Sequence, residues 1–149
     1  MLFSHEYFMK LALLQAQNAF DADEVPVGAV VVCDGQIIAK AYNQVETLQD
    51  VTAHAEILAI TAATQYLGAK YLNDCILYIT LEPCLMCAGA LYWSQIGGIV
   101  YGASDDKRGF SEQAKNVLHP KTQVVQGILE RDCATILTDF FRRKRKFKY

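Results

Sequence analysis

Apolar residues along this chain recur at helical spacing in some stretches and run together in others. From Ser4 to Phe20, Tyr7, Phe8, Leu11 and Leu14 return every three to four positions, with Ser4 placed as a cap. Asp21-Ala22-Asp23-Glu24 breaks that pattern, and Val25-Pro26-Val27-Gly28 leads into the run Ala29-Val30-Val31-Val32-Cys33. Asp34-Gly35 is a hairpin signal, which makes Gln36 to Tyr42 the returning strand. Ala53 to Tyr66 reads as the next helix, with Ile57, Leu58 and Ala62 apolar and Gly68 as its end. Cys75-Ile76-Leu77-Tyr78-Ile79-Thr80 has no polar alternation, as expected of a central strand buried on both faces.

The chain then passes through Glu82-Pro83 into a helix that runs to about Tyr92. Gly97-Gly98 punctuates, and Ile99-Val100-Tyr101-Gly102 is another short strand. Ser104 to Lys121 is polar and carries no clear period, and its His119 reads as a surface residue. Thr122 to Val125 is a weak last strand. Gly127 to about Lys146 reads as a terminal helix with Ile128, Leu129, Cys133, Ile136, Leu137, Phe140 and Phe141 on its apolar face. This order predicts one domain over residues 1–149: three α/β/α layers around a central mixed sheet. No repeat, linker or second domain is visible.

Composition narrows the class. Hydrophobic residues make up 52% of 149, enough for a sizeable core and too many for disorder. No apolar run is long enough to span a bilayer. Met1-Leu2-Phe3-Ser4-His5-Glu6 has no basic start or cleavage pattern, so a cytoplasmic protein without membrane attachment is expected. Of the five cysteines, Cys33, Cys75 and Cys133 sit in apolar stretches and read as buried free thiols. Net charge is −2, but Arg142 to Tyr149 carries six positive charges and no negative one, which leaves −8 for the rest. That asymmetry points to a local anionic partner, or to a solvated terminal run.

Two short motifs carry the chemistry. His54-Ala55-Glu56 and Glu82-Pro83-Cys84-Leu85-Met86-Cys87 together read H-x-E and P-C-x-x-C. Zinc takes imidazole and thiolate in a tetrahedral shell, and three protein ligands leave one position for water. Pro83 suits the first position of a helix, which would set both cysteines in or near a first turn, where the helix dipole favours thiolate. Two thiolates formally cancel the charge of Zn²⁺, so a nearby base gains importance. Glu56 is that base. His54 and Glu56 converge only if their helix starts between or just before them, and Thr52 is a candidate cap for such a start. A lone C-x-x-C could be a redox pair or half of a structural zinc site, but the combination is far more specific and is the pattern of the zinc nucleobase deaminases. Asn43, leaving a strand, is either a turn former or an amide that offers donor and acceptor to a base.

The chain resembles the bacterial tRNA-specific adenosine deaminases of the cytidine-deaminase-like fold. The matching stretches are Glu24 to Val30, Thr52 to Ile57, Leu81 to Ala90, Gly127-Ile128-Leu129 and Asp139-Phe140-Phe141. The resemblance implies deamination of adenosine to inosine at the wobble position of a tRNA anticodon loop. It implies one zinc per subunit on His54, Cys84 and Cys87, with Glu56 moving protons and Asn43 and Ala55 against the target base. It also implies a homodimer, with Asp105 and Lys107 near the substrate. The basic tail, including Arg142, Arg143 and Arg145, then has phosphates to meet. After Lys107-Arg108-Gly109 the chain departs from the family's small residues and reads Phe110-Ser111-Glu112-Gln113.

Two rival readings stand beside this one. A deaminase of a free base or nucleoside, such as guanine or cytidine, keeps the zinc chemistry and gives the tail no role. A non-enzymatic zinc or RNA-binding subunit leaves Glu56 without a purpose.

Overall fold

The computed structural model describes residues 3–146. Five strands form one mixed sheet in the order β2-β1-β3-β4-β5. β1 (Gly28–Cys33) runs antiparallel to both β2 (Gln36–Tyr42) and β3 (Cys75–Leu81), while β3, β4 (Gly98–Ala103) and β5 (Gln123–Val125) run parallel. Asp34 and Gly35 join β1 to β2 with φ of 53° and 75°, the left-handed pair that a tight hairpin requires. β3 lies in the middle, and Leu77, Tyr78 and Ile79 are all fully buried, as its unbroken apolar run predicts.

Alternate strand residues feed two cores. Val30, Val32, Tyr78 and Val100 meet α1 (His5–Asp21) and α6 (Glu130–Lys146). Val31, Leu77, Ile79 and Ile99 meet α3 (Ala55–Leu67) and α4 (Leu85–Ser94). The result is the three-layer α/β/α arrangement. Between the longer elements lie α2 (Val45–Leu48) and α5 (Phe110–Gln113), each four residues long and too short to leave a periodic trace.

Several expectations are corrected. Ser4 does cap α1, its Oγ accepting the Tyr7 N–H at 3.2 Å. The buried face, however, is Phe8, Met9, Ala12, Ala16 and Ala19, and Tyr7 and Leu14 are exposed. The helix lies so close to the sheet that a Cβ on Gly28 would strike the Ala12 carbonyl and the Ala16 nitrogen. Only small residues fit such an approach. α3 likewise buries Ala59 and Ala63, with Ile57 and Leu58 half-buried. Its end at Gly68, φ 64°, is as expected.

The terminal helix begins at Glu130, later than Gly127, because Gly127 and Leu129 both take left-handed backbone. It buries Cys133 and Phe140 but leaves Phe141 exposed. His119 is half-buried, with its ring 5.9 Å from that of Tyr92. Cys75 and Cys133 are buried and Cys33 half-buried, all as free thiols. No helix among the described residues is long and apolar enough to cross a membrane. Lys148, the last charge of the basic tail, lies outside the described residues, as do Met1 and Leu2 at the other end.

Candidate metal centre and the cavity above it

β2 delivers Asn43 to the start of α3. The Asn43 Oδ1 accepts the Ala55 N–H at 2.7 Å, and the Asn43 N–H donates to the Val27 carbonyl at 3.1 Å. The helix starts at Ala55, with His54 as its extended N-cap residue (φ −74°, ψ 153°). Thr52 is not the cap; its hydroxyl and N–H both donate to Asp50 Oδ1 instead. Because the helix begins between His54 and Glu56, the backbone turns there and both side chains reach the same space.

β3 delivers the cysteines. Pro83 stays outside α4, and Cys84 is the N-cap residue with extended backbone (φ −72°, ψ 173°). The chain is held extended because Cys84 bridges Gly109 and the Pro83 carbonyl accepts the Phe110 N–H at 3.0 Å. Cys87 then falls in the first turn of α4, fully buried. His54 Nδ1 lies 3.6 Å from Cys84 Sγ and 3.5 Å from Cys87 Sγ. The three ligating atoms all lie within 4.8 Å of one another, a cluster that could hold a metal ion.

The electrostatics of the cluster follow from burial and contact. Cys84 is drawn down to about 4, first by the Cys87 thiol that donates to it and then by His54. The same bond pushes the Cys87 thiol up. Cys84 in turn raises the His54 imidazole above its usual value. Glu56 is buried, and that burial lifts its carboxyl to about 7, against the lowering effect of its own N–H. It ligates nothing in the cluster, so it is a carboxyl poised for proton exchange beside a ligand set.

Above the cluster opens a cavity of about 1050 Å³. Asn43, His54, Glu56, Cys84 and the buried Phe140 line it, and Asp105 with the exposed Arg108, Gln113 and Lys144 reaches its rim. Ala55, expected beside a base, is fully buried and does not line the cavity; its N–H is taken by Asn43. Lys107 is exposed and also does not line it. Asp105 lines it and folds its own turn, with Oδ1 accepting the N–H groups of Lys107 and Arg108.

The basic helix end is partly tied down. Arg142 pairs with Asp139 at 3.5 Å. Arg143 lies over the Phe20 ring at 4.6 Å and 3.8 Å from Asp23, and Lys144 donates to Asp23 at 2.6 Å. Arg145 is exposed. Arg108 and Gln113 were not singled out in the sequence and Lys144 entered only as one charge of the basic tail, because polar residues in aperiodic or charge-rich stretches carry no local sign of the cavity they meet. Glu24 and Glu82 were also missed as buried groups; each sits at the edge of an apolar strand, which was the available signal.

Comparison with known proteins agrees with this site. The family model of the MafB19-like deaminases matches residues 3–145. A tRNA-specific adenosine deaminase of Aquifex aeolicus is 45% identical over 144 residues, covering 94% of this chain and 95% of its own. A tRNA:A34 deaminase, solved in a study of A-to-I editing at the wobble position of transfer RNA, superposes with a TM-score of 0.83 at 44% identity, covering 88% of this chain and 99% of its own. A guanine deaminase of Nitrosomonas europaea superposes at 0.85 with 27% identity, covering 94% and 86%. With an H-x-E and P-C-x-x-C cluster assembled under an open cavity and a family match over nearly its whole length, the chain belongs to the MafB19-like deaminases and resembles the tRNA-specific adenosine deaminases among its relatives.

Proposed function

We propose that this chain is a zinc-dependent tRNA adenosine deaminase that converts adenosine to inosine at the wobble position and releases ammonia, acting in the cytoplasm. The observation that carries the reading is one juxtaposition. His54, Cys84 and Glu56 line the floor of a cavity whose rim is reached by Lys144 of the basic terminal helix. Lys144 is held at the cavity by Asp23 at 2.6 Å, and this reading has the phosphates of an RNA loop share that cation.

The donors fit zinc. A tetrahedral shell with Zn–S of about 2.3 Å and Zn–N of about 2.0 Å separates sulfur from nitrogen by about 3.5 Å. The observed separations are 3.6 and 3.5 Å. His54, Cys84 and Cys87 would hold one zinc ion per subunit, which would supply a Lewis acid to activate water. Glu56 takes a first proton from the attacking water and delivers it to the ring nitrogen N1, then takes the second from the new hydroxyl on C6 and gives it to the departing amine, which leaves as ammonia. Asn43, its Oδ1 bonded to Ala55, offers its amide NH₂ to the base. An anticodon loop splays its bases, so none has to be pulled from a duplex.

A homodimer is part of this reading. Trp93 is 76% exposed and Tyr66 66% exposed, and Leu67, Leu85, Met86 and Tyr92 on the same two helices are also open to solvent. An apolar set of this kind is suited to a partner surface. The test of function is direct. Zinc-loaded protein incubated with tRNA bearing adenosine at the wobble position yields inosine there, read by mass spectrometry of nucleosides. The guanine deaminase likeness gives the competing result, consumption of free guanine with the RNA untouched, and that outcome rejects the proposal.

A further inference from the structure

Two buried carboxylates that the deamination chemistry does not use flank the cavity. Glu24, 1% exposed, precedes β1. It accepts the N–H of Glu46 at 3.0 Å, the N–H of Thr47 at 2.6 Å and the Thr47 hydroxyl at 2.7 Å. Glu82, 3% exposed, follows β3. It accepts the N–H of Asp105 at 3.0 Å, the N–H of Ser111 at 3.0 Å and the Ser111 hydroxyl at 2.6 Å. The pattern is the same twice: one carboxylate, two backbone N–H groups, one hydroxyl. Both carboxylates line the cavity, and each holds one of its lips.

The physics explains why a carboxylate is needed at each place. α2 and α5 are four-residue helices, which cannot sustain themselves. Their first N–H groups have no partner inside the helix. A charged acceptor satisfies the N–H groups of Glu46 and Thr47 in α2 and of Ser111 in α5, together with that of Asp105 in the loop before α5, while an apolar residue would leave them orphaned. Gly109 makes room for the second clamp, since a Cβ there would sit 2.5 Å from both Glu82 oxygens. Behind it, Phe110 is buried against Tyr101 at 6.3 Å between ring centres.

We propose that Glu24 and Glu82 are positioning residues that hold the two lips of the RNA-binding mouth, setting Glu46 and Thr47 on one side and Asp105, Arg108 and Gln113 on the other before the anticodon loop arrives. This rests on the proposed action on RNA. A mouth already in its bound shape loses less freedom on binding, so the effect falls on affinity more than on the chemical step.

The test is steady-state kinetics on an anticodon stem-loop RNA, with zinc content measured on the same samples. Four variants are compared: Glu24→Gln, Glu82→Gln, and the milder Thr47→Ala and Ser111→Ala. The glutamine variants raise KM about tenfold, since each weakens a charge-assisted bond set. The hydroxyl deletions raise it about threefold, and kcat stays within about threefold of the unmodified chain in all four. Zinc stays at one per chain. Should the glutamine variants fail to fold, the two exposed-side hydroxyl deletions decide alone. Unchanged KM in the folded variants, or a fall in kcat that tracks lost zinc, overturns the positioning role. An unmodified chain that leaves the RNA untouched rejects the proposed function and this role with it.

Discussion

Asn43 Oδ1 accepts the Ala55 N–H at 2.7 Å, so the end of one strand caps the first turn of the helix that carries Glu56. The bond fixes where the helix begins, and the beginning fixes how His54 and Glu56 face each other. It also commits the amide oxygen to the protein and leaves the NH₂ for a ligand.

Asn43 variants therefore separate stability from recognition. Asn43→Ala loses the cap and about 1 kcal/mol of stability in urea unfolding, along with activity on RNA. Asn43→Asp keeps an oxygen for Ala55 but turns the donor into an acceptor. Its stability stays within about 1 kcal/mol of the parent while inosine formation is lost. Equal activity in Asn43→Asp and the parent contradicts the assigned role.

Glu56 is buried beside the ligand cluster without belonging to it. Glu56→Gln keeps shape and burial but cannot exchange protons. Turnover falls at least about a hundredfold, and zinc content by elemental analysis remains that of the parent. Retained turnover contradicts the proton-transfer role.

Glu24 sets an acid limit. Burial works to raise its pKa, but the hydrogen bonds from the Thr47 hydroxyl and the N–H groups of Glu46 and Thr47 hold it below its usual 4.5. A lowered pKa in the folded state contributes stability that is complete above 4.5 and is lost as pH falls through the folded value. Urea unfolding of the parent and Glu24→Gln between about pH 6 and about pH 3 measures this. The gap between the two narrows as the solution becomes more acid, and a constant gap contradicts the assignment.

The terminal helix is the electrostatic arm. Ending the chain after Phe141 removes Lys144 from the cavity rim and breaks its bond to Asp23. That exposed pair and the Arg143 contacts with Asp23 and Phe20 lost with it contribute at most about 1 kcal/mol each, so the fold remains. KM for tRNA rises, and its dependence on salt becomes shallower, because fewer phosphate contacts remain. An unchanged salt slope contradicts a role for the tail in RNA binding.

The layers of the fold were legible where pattern is strong. The Val30 to Val32 run, Asp34-Gly35 and the unbroken stretch of β3 each specify an element by local physics, and the structure places them so. The two halves of the cluster of His54, Cys84 and Cys87 were legible because residue type and spacing alone define ligand chemistry. The caps were not. Thr52 is a good capping residue by type, yet Asn43, twelve positions before Ala55, performs that work through a contact no local window contains. Pro83 is a good first helical residue by type, yet the bridge from Cys84 to Gly109 holds it outside the helix. The face of α1 was misread for a related reason. Its alanines mark close approach to Gly28, whereas Tyr7 and Leu14 drew attention by size.

The central claim is that His54, Cys84 and Cys87 grip one metal ion with a fourth position open beside Glu56. X-ray absorption spectroscopy at the zinc edge, on protein purified without added chelator and quantified by elemental analysis, measures it most directly. The account predicts one zinc per chain in a shell of two sulfurs and two lighter atoms, and loss of that shell in Cys84→Ser. A metal-free protein, or a shell in which four protein side chains close the site, contradicts it.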